Sequence, residues 1–107
     1  LAHLTIPVSD EHDQILGPPA GIEPAPVTLV EYGSYDCHQC RAASHVVKAL
    51  LDRPDLAPRL RFVFRDFPRH APDGRPRSEA EKAAQAAQAA AAQDRFWEMH
   101  RLLFEHQ

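Results

Sequence analysis

The junction at residues 27–40 constrains this chain more than any other feature. Val27, Thr28, Leu29, Val30, Glu31 and Tyr32, bounded by Pro26 and Gly33, are rich in β-branched and aromatic residues, with apolar groups on both faces. That composition predicts a buried strand. Five residues after Tyr32 comes Cys37-His38-Gln39-Cys40, and helical periodicity begins at the same point. Ala42, Ala43, Val46, Val47, Leu50 and Leu51 recur at helical spacing from His38 to Asp52, and Pro54 stops the pattern. From Arg59 to Phe67 the period becomes two, with Leu60, Phe62 and Phe64 on one side and Arg59, Arg61 and Arg65 on the other. This alternation predicts a second strand. Strand, helix and strand within about 40 residues form a βαβ crossover, which sets the strands parallel and the helix over one face.

Residues 1–25 form a Pro- and Gly-rich lead-in to a unit spanning 26–107. Pro7, Gly17, Pro18, Pro19, Gly21 and Pro24 remove backbone donors and leave room only for a short edge strand at Leu4 to Val8. A loop runs from Pro68 to Pro76. Ser78 and Glu81 then make a capping box that opens a helix, and Lys82 to Gln93 is nearly all Ala and Gln, a surface suited to close packing against a neighbour. Phe96, Trp97, Met99, Leu102, Leu103 and Phe104 give a further helical apolar cluster after a break near Asp94, which caps it.

A chain of 107 residues holds one domain. Leu, Ile, Val and Phe number 24, just above the level of about one-fifth below which chains stay disordered, so stability is expected to be marginal. The net charge of -3 and the absence of like-charge blocks argue against nucleic acid as a partner. No apolar run approaches the roughly 20 residues that span a bilayer, so no direct membrane insertion is expected. No signal-peptide pattern opens the chain, which favours a cytoplasmic location; because the sequence starts at Leu1, a removed leader would make it periplasmic.

Two cysteines are too few for a secreted disulfide scaffold, and their place at a strand-to-helix junction gives them another meaning. Unpaired amides and partial positive charge at a helix N-terminus stabilise a thiolate at Cys37, while Cys40 lies one turn behind, close enough to bridge. The implied reaction is thiol–disulfide exchange, with Cys37 as nucleophile, Cys40 as resolver and no cofactor beyond their own disulfide. Protonated His38, between them, would stabilise the thiolate; the alternative is an exposed histidine without a role. Glu31, six residues before Cys37, either points to solvent or is buried beneath the helix, where its pKa rises and it exchanges a proton with Cys40. Two other readings of the cysteines stand beside the redox one. They could ligate zinc together with a histidine, although no second CxxC or closely spaced histidine pair completes a four-ligand pattern, or they could be inert core residues.

Pro26 to Cys40, Phe62 to Pro68 and Phe96 to Gln107 together resemble the DsbA-like thioredoxin-fold proteins, in particular the bacterial branch also found fused to sodium/proton antiporters. The resemblance covers about residues 10–107. It implies an α/β thioredoxin-like fold with following helices, activity on protein or peptide thiols and disulfides, and a buried Glu31. The family commonly carries Pro and an aromatic residue or His between the cysteines, where this chain has His38 and Gln39. Family members also continue through further helices to a strand preceded by a cis-proline that faces the cysteines. All ten prolines here lie upstream of that point, so the fold is expected to be incomplete at the C-terminus and no residue takes the cis-proline role. The strand at Val27 to Tyr32 would then keep one edge unpaired, open to association with a second copy. Besides the enzyme reading, a redox-sensing or partner-binding module without turnover and a zinc-bridged oligomer fit the same residues.

Overall fold

A computed structural model describes residues 6–67, 72–75 and 78–107, with the side chain of Ser78 excepted. In chain order the elements are β1 (Gln14–Leu16), β2 (Val27–Gly33), α1 (His38–Leu51), a single 3-10 turn (Ala57–Arg59), β3 (Leu60–Asp66), α2 (Ser78–Ala91) and α3 (Phe96–Glu105). The sheet order is β1-β3-β2. β2 pairs parallel with β3, from Val27 opposite Leu60 to Gly33 opposite Asp66, and α1 makes the crossover between them. The expected βαβ unit is therefore present within a residue or two of its expected limits.

Alternation along β3 places Phe62 and Phe64 on the face covered by α1 and α3. There Tyr35, Val47, Phe62, Phe64, Ala87, Phe96 and Phe104 form the core cluster. The aromatic rings interlock: Phe64 lies 4.6 Å from the His100 ring and 5.3 Å from Tyr35, and Phe104 lies 4.9 Å from Tyr35. α2 packs on α3 and buries Ala80, Ala87 and Ala90. Its small side chains let the two helices approach closely, as the Ala-rich sequence implied.

Three expectations need correction. β2 is not a buried strand: Val27, Leu29 and Tyr32 are 68%, 39% and 48% exposed. Among the described residues it has β3 on one side only, the unpaired edge expected above, so a composition that fits a central strand is exposed. The arginine face of β3 is covered: Arg61 is 3% exposed and Val63 fully buried. The lead-in folds across that face and supplies the countercharges. Arg61 pairs with Asp10 at 2.6 Å and Arg65 with Asp13 at 2.8 Å, and Arg65 also donates to the carbonyls of Ile6 and Pro7.

The edge strand expected at Leu4 to Val8 is not found among the described residues of that stretch. Residues 1–5 lie outside the described residues, and 6–8 are not in a strand. Gln14 to Leu16 instead pair antiparallel with Phe64 to Phe62, within the stretch read as lead-in. Gly17, at φ +118°, ends that strand so close to β3 that a Cβ there would strike the Leu60 carbonyl oxygen. Finally, Asp94 does not cap α3. It takes the left-handed conformation, φ +58°, and ends α2: Arg95 N–H donates to the Ala90 carbonyl and Asp94 N–H to that of Ala91, the Schellman pattern. The Ser78 side chain of the capping box and most of the loop at 68–76 lie outside the described residues.

Candidate active site

At the C-terminal end of β2 the chain turns through Ser34, Tyr35 and Asp36 into α1. Cys37 has extended backbone geometry (φ -94°, ψ 118°) and is the N-cap of the helix. Its Sγ accepts a hydrogen bond from the Cys40 N–H at 3.2 Å, the role that Ser, Thr, Asp or Asn oxygens usually fill. A sulfur in that position gains from carrying negative charge, because the bond becomes charge-assisted and the helix N-terminus is partially positive.

Both cysteines are partly buried, and Cys40 packs against the core cluster. Burial pushes the Cys40 thiol up to about 11, with the adjoining Cys37 sulfur and then the Glu31 carboxylate acting in the same direction, against a hydrogen bond from the Ser34 backbone. The CxxC pair is thus asymmetric, with one sulfur capping the helix and the other a reluctant anion on the core.

The expected site residues divide in two. Glu31 joins the cysteines: it shares the sheet face of Phe62 and Phe64, its Oε2 is buried without a hydrogen-bond partner, and burial raises its pKa. Of the two readings of Glu31, the buried one describes it. Gly33 makes room for this carboxyl, since a Cβ at that position would lie 2.7 Å from Glu31 Oε2 and 2.8 Å from Phe64 Cε2. His38, by contrast, is exposed, as is Gln39.

Other site residues had not been singled out from the sequence. Ser34 Oγ donates to Asp36 Oδ1 at 2.6 Å, tying the turn before Cys37. Gln107 Nε2 donates to the carbonyls of Tyr35 at 2.6 Å and Cys37 at 3.0 Å, joining the end of α3 to the cysteine loop. Tyr35 and His100 share a buried hydrogen bond of 2.9 Å between the phenol and Nδ1. Burial pushes His100 down to about 4, so its ring is neutral at physiological pH, and burial raises the Tyr35 phenol. Asp66, at the end of β3, has a buried Oδ1 without a hydrogen-bond partner among the described residues. None of these follows from spacing, because each depends on which loop a distant element meets. Among the described residues no group of three or more His, Cys, Asp or Glu side chains is gathered so as to hold a metal ion, and no helix is long and apolar enough to cross a membrane.

A thiol pair opening the crossover helix of a parallel βαβ unit is the arrangement of a thioredoxin-like domain, and a family model described as thioredoxin matches residues 14–107. The chain belongs to this thioredoxin family. Its solved neighbours are DsbA-like, as the sequence resemblance implied. A thioredoxin-like oxidoreductase from Silicibacter pomeroyi is 33% identical with a TM-score of 0.69, over 89% of this chain and 47% of that one. BdbD from Bacillus subtilis, in its oxidised form, is 29% identical with a TM-score of 0.68, over 92% of this chain and 50% of that one. Curated relatives include the Na(+)/H(+) antiporter NhaA 1 of Salinispora arenicola, 42% identical over 97% of this chain, and that of Mycolicibacterium gilvum, 39% identical over 94%. This chain spans only 14% and 15% of those two antiporters, and about half the length of the solved neighbours.

Proposed function

We propose that the chain is a thiol–disulfide oxidoreductase that exchanges disulfides with protein or peptide cysteines through Cys37 and Cys40. The observation that carries this reading is the asymmetry of the pair: Cys37 Sγ caps α1 and takes the Cys40 N–H, while burial holds the Cys40 thiol protonated, up to about 11.

As a reductant, the Cys37 thiolate attacks one sulfur of a substrate disulfide. The Cys37–substrate bond forms, the substrate S–S bond breaks, and the departing thiolate takes a proton from solvent. Cys40 then loses its proton and attacks Cys37 Sγ. The intramolecular disulfide forms and the second substrate thiol leaves, so two electrons pass from the cysteine pair to the substrate. In the oxidising direction the same steps reverse, and Cys40 leaves as a thiolate that must be protonated. Glu31 is the group that takes and returns the Cys40 proton, since burial makes its carboxyl a weaker acid. No cofactor beyond the Cys37–Cys40 disulfide enters these steps. The surrounding redox poise sets the direction: reduction or isomerisation in the cytoplasm, which we favour, or oxidation in a periplasmic setting.

Protein thiols and disulfides are the proposed partners. The free edge of β2, with Val27 and Leu29 exposed beside it, is proposed to pair with a second copy of the chain. A glutathione titration with mass-resolved alkylation tests the exchange. A reversible two-electron transition lost in Cys37→Ser is expected; a Cys37→Ser variant that still exchanges would refute the reading. Sedimentation tests the pairing, and a stable monomer at high concentration would refute it.

A further inference from the structure

We infer that Asp66 is a second carboxyl of the cysteine site, a positioning residue whose ionisation opposes thiolate formation at Cys37; its functional meaning rests on the exchange reading above. Asp66 ends β3 directly opposite Gly33, so it shares the sheet face of Glu31, Phe62 and Phe64 that α1 and α3 cover. Because residue 33 has no side chain, none stands opposite Asp66 across the β2–β3 pair. Phe67 N–H donates to the Gly33 carbonyl at 2.7 Å, which holds the end of β3 against the start of the cysteine loop. Asp66 Oδ1 is buried and has no hydrogen-bond partner among the described residues.

A buried carboxylate without a partner is costly, and the usual outcome is that the group keeps its proton. Burial, followed by the carboxylate of Asp36 just before Cys37, pushes Asp66 up to about 6. The charges coupled to it lie in the cysteine loop and on β2: the Asp36 carboxylate acts on Asp66, Asp66 and Glu31 both act on the Tyr35 phenol, and that phenol bonds His100 on α3, where burial favours the neutral ring. The arginines of β3 alternate onto the opposite face, where Asp10 and Asp13 engage them. As pH rises past this range, Asp66 releases its proton to solvent and adds a negative charge at the cysteine site. Cys37 then loses its proton less readily, and the reduced pair is less favoured. Below the range, neutral Asp66 leaves the helix N-terminus to stabilise the thiolate.

The test follows the alkylation rate of Cys37 by iodoacetamide across pH, read by mass on its peptide. It uses a His38→Ala, Glu31→Gln background, which removes the histidine beside Cys37 and the other carboxyl on this sheet face. A step near pH 6 is expected in that background and in its Asp66→Glu derivative, and is expected to vanish in Asp66→Asn. Between that step and the thiol's own midpoint, Asp66→Asn should react about three- to tenfold faster, the scale of one unit charge at partly screened distance. A step that survives Asp66→Asn, or a background without a step, overturns the inference. Circular dichroism checks folding, and Asp66→Ser is the second uncharged variant; should neither fold, the background profile alone decides. Alkylation needs no turnover, so failure to find a reversible disulfide in the glutathione titration removes the exchange reading while leaving the charge effect of Asp66 measured.

Discussion

The buried ring of His100 sets a pH dependence of stability that can be worked out in advance. His100 is 8% exposed, lies between Phe64, Phe96 and Phe104, and is pushed by burial from its ordinary 6.5 to about 4. Above pH 6.5 the ring is neutral in both folded and unfolded chains, and no proton is exchanged on unfolding. As pH falls through 6.5 toward 4, the unfolded chain binds a proton that the folded chain refuses, so stability is lost across that window. At pH 5 the loss from this one group is about 2 kcal/mol, rising to about 3 kcal/mol near pH 4. That is a large part of the 5–15 kcal/mol that typically stabilises a domain. Asp66 acts in the opposite direction, because its folded value of about 6 exceeds its ordinary 3.8; the folded chain binds its proton first and gains stability as pH falls from about 6 to 3.8. The wild-type profile alone therefore mixes the two. Urea unfolding of wild type and His100→Gln at pH 7 and pH 5 separates them, since the Asp66 contribution is common to both proteins. The stability difference between wild type and variant should shrink by about 2 kcal/mol at the lower pH. A difference that stays constant between the two pH values would show that His100 is not held neutral by burial.

Other consequences follow from the same structure. Gly33→Ala would place a Cβ 2.7 Å from Glu31 Oε2 and 2.8 Å from Phe64, and should cost about 1–3 kcal/mol in thermal unfolding; an unchanged midpoint would mean that the carboxyl swings away freely. The two cysteines should alkylate with different pH dependence, Cys40 reacting only as pH approaches about 11; matching profiles would contradict the asymmetry of the pair. Arg61→Met should free the lead-in by removing its pairing with Asp10, making residues 6–21 more sensitive to limited proteolysis while α3 stays protected. Gln107→Ala removes both donors from the cysteine loop and should speed hydrogen exchange at the first amides of α1; equal exchange would show that the loop holds its shape without this side chain.

Much of the fold was legible because it rests on local patterns. Apolar spacing placed α1 and β3 to within a residue or two, since burying one face fixes a period of 3.6 or 2 whatever the neighbours are. The break between α2 and α3 was legible as well, but the work of Asp94 was not, because a residue that can cap one helix can equally end another in the left-handed conformation. Period two also told that Arg61 and Arg65 share a face. It did not tell that the Pro-rich lead-in, through Asp10 and Asp13, would cover that face and make buried arginines tolerable.

The site divides along the same line. Cys37 and Cys40 could be assigned from the letters, because a helix N-terminus acts on whatever residue opens the helix and its field is set by the local backbone. Glu31 could be named but not placed: its burial depends on the missing side chain of Gly33 and on Phe64 from another strand. Asp66, Tyr35, His100 and Gln107 lie in segments that carry the family resemblance, but their roles were not readable, since each acquires its setting only where β3 and α3 close on the cysteine loop. The sequence by itself determined the helices, the two parallel strands and the thiol pair, which follow from interactions within a few residues. The tertiary structure alone decided which acids and rings surround that pair, because desolvation and charge at a site are summed over segments distant in the chain.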